Sequence, residues 1–400
     1  MLIGYVIISS CTSPTHSTPL VAARLRPTLL TLLVRRRVAH AQTMLSAAYR
    51  TVHNETKHID AIVPGKIGLV ACAASALTGD TWDGRLQVLD LKGTRELGTG
   101  AAVVAEAYSA SGIADVAWVS VDTLATGDDA GDLSLWQLGV PADGGKRDLS
   151  PIATFGEHSQ PITAVVACPS APTRLVTTSL DGTAKVWAAS VAGSATTSLD
   201  HLPVNAWCEV QVHCAAWLGA SSELMGTGAS DGVVRLWDLR SARPAASRFA
   251  PHTAAVLSLL AGAADGQLLA GAESGDLLLF DARKLSEPVT SASVRSTLGD
   301  RPQPAAALTA LCQLGIPPGR EVVSSSFVAA GTEEGIILIV DPRDLHVISS
   351  AVAHEGNAAT VAGLSAAAGG SDGGLTLLSG GWDKKLLRHD LTTISPRSDA

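Results

Sequence analysis

The sequence predicts an all-β fold, a seven-bladed β-propeller whose ring is closed by an N-terminal strand. Three observations predict it. One short motif recurs seven times, with steps of 47, 51, 50, 43, 60 and 49 residues between copies. Each copy joins two alternating apolar runs across a tight turn, which is the pattern of a half-buried β-hairpin. The 400 residues are 46% hydrophobic and 16% charged, a composition that excludes a disordered chain and supplies a large core.

The copies, in chain order, read WDGRLQVLD (82–90), DAGDLSLWQ (129–137), LDGTAKVWA (180–188), SDGVVRLWD (230–238), ESGDLLLFD (273–281), EEGIILIVD (333–341) and WDKKLLRHD (382–390). Their turn positions are Gly84, Gly131, Gly182, Gly232, Gly275, Gly335 and, in the last copy, Lys384. Glycine is expected there because the hairpin turn needs positive φ, which costs an ordinary side chain energy. In the third copy Arg174–Ser179 and Thr183–Trp187 flank the turn Leu180-Asp181-Gly182. Alternation along Val233–Trp237 sends successive side chains to opposite sheet faces, so no single sheet buries both faces without neighbours. The chain continues only ten residues beyond Asp390, too few for the outer strand of the last blade. A segment within residues 50–65, including Thr56–Val63, is the expected source, since pairing first with last removes open sheet edges.

The domain expected to fold is 44–400, with residues 1–43 a disordered or targeting extension. That extension has an apolar start (Met1–Ile8), a Ser/Thr/Pro-rich stretch, then Arg24, Arg26 and Arg35–Arg37. It lacks the charged n-region of a secretory signal, and no uncharged apolar run approaches the ~18 residues of a membrane helix. An organellar transit peptide and a start at Met44 are the two readings that remain. The net charge is −8, but residues 1–54 hold six arginines and no acid, which leaves −14 on residues 55–400. An acidic body repels phosphate backbones and accepts basic partners, so direct nucleic-acid binding is not expected. The six cysteines are scattered, with no C-x-x-C pair or zinc-ligand spacing, and read as reduced core thiols. Gly369–Gly374 reads as a surface loop. No P-loop, nucleophile elbow, zinc-protease helix or dinucleotide fingerprint is present, so no catalytic residue, cofactor or metal is expected. Aromatics are only 4% of the chain, so each of its eight tryptophans is expected where its size or its indole N–H is needed.

The repeat endings, above all Ser230–Asp238, resemble the WD-repeat family. That resemblance implies that His158, Ser179, Asp181 and Trp187 form a buried hydrogen-bonded tetrad that locks blade three, a scaffold rather than a Ser-His-Asp hydrolase site. The His position recurs at His252 and His354, whereas blades one, two and six lack an obvious equivalent. A narrower resemblance is carried by Leu69–Gly84, by Ser111–Val119 leading into Asp132–Trp136, and by Leu378–Asp383, with Ile348–Val352 and Arg240–Ser247 in support. These segments are similar to the methylosome WD-repeat subunit, the obligate partner of the type II protein arginine methyltransferase. The resemblance implies a cofactor-free adaptor of cytoplasm and nucleus that binds the methyltransferase and helps present Arg- and Gly-rich substrates such as histones and Sm proteins. Trp82, with Asp83, is then the expected interface anchor, and Trp382 a second candidate. The basic extension and the 60-residue step holding Pro302, Pro304, Pro317 and Pro318 depart from the family pattern. A generic WD scaffold, such as a nuclear-pore component or a ubiquitin-ligase substrate receptor, is the alternative, and residence in an organelle goes with the transit-peptide reading.

Overall fold

The computed structural model describes residues 49–391 except 66–67, 79–80, 93–99, 142–144, 193–194, 208–209, 219–222, 241–244, 250–253, 263–265, 285–286, 294–305, 315–326, 359 and 365–374. The extension 1–43, His252, the four loop prolines, Gly369–Gly374, Cys11 and Cys208 lie outside the described residues. Cys72, Cys168, Cys214 and Cys312 are free thiols, the first three buried.

All regular structure among the described residues is β. It begins with β1 (Tyr49–Asn54) and continues in blade one as β2 (His58–Pro64), β3 (Leu69–Thr78), β4 (Thr81–Asp90) and β5 (Ala102–Ser109). Blade two is β6 (Ile113–Trp118), β7 (Thr123–Asp128), β8 (Leu133–Leu138) and β9 (Leu149–Phe155). Blade three is β10 (Ile162–Ala167), β11 (Arg174–Ser179), β12 (Thr183–Ala192) and β13 (Ala195–Trp207). Blade four is β14 (Val212–Trp217), β15 (Leu224–Ala229), β16 (Val234–Asp238) and β17 (Ala245–Phe249). Blade five is β18 (Val256–Ala261), β19 (Gln267–Ala272), β20 (Asp276–Asp281) and β21 (Thr290–Ser293). Blade six is β22 (Leu308–Leu314), β23 (Phe327–Thr332), β24 (Ile336–Val340) and β25 (Val347–Val352). Blade seven is β26 (Thr360–Leu364), β27 (Leu375–Gly380) and β28 (Lys385–Leu391), completed by β1.

Each of the seven sheets is four-stranded and antiparallel, and the inner strand of each packs on the inner strand of the next, from β2 round to β26 and back to β2. The core therefore lies between blades. Leu133 and Leu135 of blade two share a cluster with Ile162, Val165, Leu175 and Trp187 of blade three. Two tryptophans fasten neighbouring blades directly: Trp118 Nε1 donates to the Val63 carbonyl and Trp217 Nε1 to the Val166 carbonyl, both at 3.0 Å.

Closure uses the predicted first-with-last pairing, through a strand at the start of the expected 50–65 window rather than through Thr56–Val63. Tyr49–Asn54 runs along β28, from Tyr49 opposite His389 to Asn54 opposite Lys385. Most of Thr56–Val63 is instead β2, the inner strand of blade one. The alternation of those residues suits either position, and the chain makes one tight step at Glu55, whose N–H donates to the Lys384 carbonyl (2.8 Å), before crossing into the next sheet.

Gly131, Gly182, Gly232, Gly275 and Gly335 take positive φ at the predicted turns, and Lys384 adopts it too, at 67°. At Gly335 a Cβ would also lie 2.1 Å from the His354 carbonyl oxygen of the following blade. Gly84 is different. The blade-one ladder continues past it to Thr78 opposite Thr81, which places Gly84 inside the strand, opposite Ser75. It is glycine because a Cβ would meet the Ser111 carbonyl oxygen at 2.5 Å and Ile113 Cγ1 at 2.6 Å. Blade one therefore carries a hairpin longer than the six-residue β7 of blade two.

Lys384→Gly is expected to raise stability by about 1 kcal/mol, because a left-handed non-glycine residue holds strain of that order. Gly84→Ala is expected to lower it by ~1–3 kcal/mol through overpacking against backbone. Chemical denaturation of both variants against the parent chain measures each difference.

Candidate functional site

The predicted tetrad of blade three exists with one member exchanged. His158 Nδ1 donates to Asp181 Oδ2 (3.0 Å), Thr177 Oγ1 donates to His158 Nε2 (2.8 Å) and Trp187 Nε1 donates to Thr177 Oγ1 (2.9 Å). The hydroxyl in the chain is Thr177, not Ser179. Ser179 Oγ donates to the Gln160 carbonyl (2.9 Å) and accepts from the Asp181 N–H (3.1 Å), bracing the turn. The two side chains lie two residues apart on one face of β11, and Trp187 reaches only the one deeper in the blade. The signal that identifies Thr177 is a spacing of ten: Trp136 Nε1 donates to Thr126 Oγ1 (2.8 Å) and Trp237 Nε1 to Thr227 Oγ1 (2.9 Å) at the same separation.

Blade seven repeats the chain with a histidine in the tryptophan place. His354 Nδ1 donates to Asp383 Oδ1 (2.9 Å), Ser379 Oγ donates to His354 Nε2 (2.8 Å), and His389 Nε2, ten residues after Ser379, donates to Ser379 Oγ (2.7 Å). These donor directions assign the tautomers. They leave His389 Nδ1 as a buried acceptor with no partner. Ser379 and His389 are both 0% exposed, so no substrate carbonyl reaches this Ser-His-Asp arrangement, and its role is to hold the blade. Burial lowers the pKa of His354 and takes that of His389 down to about 3.

In blade one Glu55 stands between the outer strand of blade seven and β2, at the place of those histidines. Burial pushes its carboxyl up, but hydrogen bonds from His53 and the Thr56 N–H, together with the Arg85 guanidinium, outweigh that and hold it at about 2. Arg85 Nη1 meets Glu55 at 2.8 Å, Arg85 Nη2 meets Glu106 at 2.5 Å, and the guanidinium lies 5.5 Å from the Tyr108 ring centroid. The base of the long β3–β4 hairpin is thereby braced.

Beyond that base the hairpin projects with Leu77 opposite Trp82, 58% and 46% exposed. Asp83 does not face outward alone: Lys57 Nζ lies 2.5 Å from its carboxylate. Trp382 is 50% exposed, and its ring packs on His58 at 5.6 Å, with His58 Nδ1 donating to the Trp382 carbonyl (2.7 Å). Through the neighbours Lys57 and His58, the structure brings Trp82, Asp83 and Trp382 to one face, the face of the hairpin turns. Leu77 and His58 are members of this patch that the sequence pattern alone did not single out.

Thr177→Val is expected to cost about 2–4 kcal/mol, because it strands the Trp187 N–H and His158 Nε2 together, and Ser179→Ala about 1 kcal/mol. Urea unfolding of the two variants compares them. The pH dependence of blade seven has a definite sign. Histidines held neutral in the fold but titrating near 6.5 when unfolded give stability that is whole above pH ~6.5 and is lost as the pH falls. His389→Gln keeps an N–H for Ser379 and removes that titration. The variant is therefore expected to gain on the parent chain below pH 6.5, by up to about 1.4 kcal/mol per pH unit in paired denaturation curves. Asp60 and Asp115, raised by burial to about 7, act in the opposite sense in both chains and cancel in the comparison.

Residues 149–188, which run from β9 through most of β12, match the family described as WD40, the WD domain, G-beta repeat. No curated protein matches the chain. Among solved structures, Sqt1 from Chaetomium thermophilum is 18% identical with a TM-score of 0.61, over 87% of this chain and 85% of that one. The computationally designed Ika8 protein is 15% identical with a TM-score of 0.54, over 85% of this chain and 98% of that one. At these identities the likeness is one of fold. The chain is a seven-bladed β-propeller that carries a WD40 repeat at residues 149–188.

Proposed function

We propose that the protein is a non-catalytic adaptor of a protein arginine methyltransferase complex, acting in cytoplasm and nucleus. The ring binds a type II methyltransferase and helps present Arg-rich proteins such as histones and Sm proteins. The observation that carries this reading is the projecting β3–β4 hairpin, where the Leu77–Trp82 pair stands exposed. A large aromatic on a rigid support loses little conformational freedom on binding and makes a strong anchor. The support here is the Lys57–Asp83 pair and the Glu55–Arg85–Glu106 network. The resemblance of Leu69–Gly84 to the methylosome WD-repeat subunit falls on this same hairpin, and an acidic body of charge −14 over residues 55–400 suits basic clients.

Trp82→Ala is expected to leave the fold intact and to reduce capture of the methyltransferase about 30-fold or more, as for an interface anchor worth at least ~2 kcal/mol. Pull-down of tagged protein from native cells, with partners identified by mass spectrometry, measures it. Absence of any arginine methyltransferase from the parent-chain pull-down removes the methylosome role.

A further inference from the structure

The patch around Trp382 has chemistry that the hairpin anchor does not use. Asp60 lies on β2, the inner strand of blade one, and accepts hydrogen bonds from the Ser75 hydroxyl and the Trp382 indole. Asp129, in the turn region of blade two, converges on the same spot. A Cβ placed on Gly112 would meet Asp129 Oδ2 at 2.3 Å and Ser75 Cβ at 3.4 Å. Asp60 and Asp129 also repel one another, and burial raises both carboxyls, Asp60 to about 7. Neither makes an ion pair with a lysine or arginine among the described residues; the nearby cation, Lys57, is held by Asp83. Beside them half of the Trp382 surface is open to solvent. Asn357, whose backbone carbonyl accepts from the Trp382 backbone N–H (3.0 Å), leaves its buried side-chain Oδ1 without a partner.

An exposed indole edged by two acidic side chains that make no ion pair with a lysine or arginine among the described residues is matched by a flat cation, whose charge favours their ionised forms. A guanidinium stacks on an indole and donates to two carboxylates from one rigid fork, whereas an ammonium offers a compact, strongly hydrated charge. We propose that this surface, where blades seven, one and two meet, takes an arginine side chain of a basic, flexible peptide segment, stacked on Trp382 and hydrogen-bonded to Asp60 and Asp129. The occupant is set by charge complementarity with the acidic body. The identification of that segment with a methyltransferase substrate rests on the proposed function; the arginine-reading surface itself does not.

The test is fluorescence anisotropy of the full chain with a labelled Arg-Gly repeat peptide and a Lys-Gly peptide of equal length and charge, at moderate salt. The Arg-Gly peptide is expected to bind at least tenfold more tightly than the Lys-Gly peptide. Trp382→Ala, Asp129→Asn, and the pair Asp60→Asn with Asp129→Asn are each expected to weaken it several-fold to tenfold, with Val352→Ala, exposed on the outer strand of blade six, unchanged. Thermal unfolding checks that each variant is folded. If burial makes Asp60→Asn unstable, the exposed Trp382→Ala and Asp129→Asn decide alone. Equal affinity for the two peptides, unaltered binding by the folded variants, or no binding to the parent chain overturns the proposal. A chain that reads arginine here yet captures no methyltransferase keeps this surface and loses the adaptor role; the reverse result does the opposite.

Discussion

The pairing of β1 with β28 is the constraint on which the rest of the molecule depends. Without it blade seven has three strands, β28 presents open N–H and C=O groups, and the inner strands β26 and β2 lose the covalent step that sets them side by side. An open edge of that kind invites pairing with another chain. Because the core lies between blades rather than within them, a gap at one junction exposes apolar surface on both of its neighbours. The Trp118 and Trp217 indoles show the same logic on a smaller scale, each donating to a carbonyl one blade away.

Within the blades one hydrogen-bonded chain recurs with substitutions that respect its donor order. Blade three uses Trp187 as the terminal donor and blade seven uses His389, each to a hydroxyl ten residues earlier. Blade five places Phe280, fully buried and without a donor, at this strand position. Blade one replaces the neutral chain by charges, with Glu55 held ionised by Arg85 and its hydrogen bonds. That exchange coincides with the β3–β4 hairpin that runs past the expected turn. The charged network and the extra strand length occupy the same end of the blade, so a region that departs from the repeat is also the one that presents Trp82.

Much of this was legible before any coordinates. The turn positions from Gly131 to Lys384 follow from spacing alone, because positive φ recurs wherever the period places it. Gly84 misled because a glycine kept for close approach to Ser111 and Ile113 is written with the same letter as one kept for a turn. Ser179 and Thr177 share a strand face, so alternation cannot choose between them, although the ten-residue Trp–Thr interval could. Within the 50–65 window the pattern cannot tell the closing strand from its neighbour for a related reason: β1 and β2 are both short alternating runs, and only pairing across the whole chain separates them. Trp82 and Trp382 stood out because neither occupies the strand-end position of the buried tryptophans. The carboxylates beside Trp382 come from separate blades, and no linear pattern joins them.

The strands that close the ring are the first and the last of the propeller along the chain. Asn54 and its partner Lys385 stand about 330 residues apart, a separation at which loop closure is slow. Blades one to six can form in order as the chain leaves the ribosome. The strand of residues 49–54 must then wait, unpaired, until the last sheet emerges. For the ring the final act of folding is thus the meeting of its first and last strands, and during that interval a chaperone or a foreign strand has its best opportunity to bind.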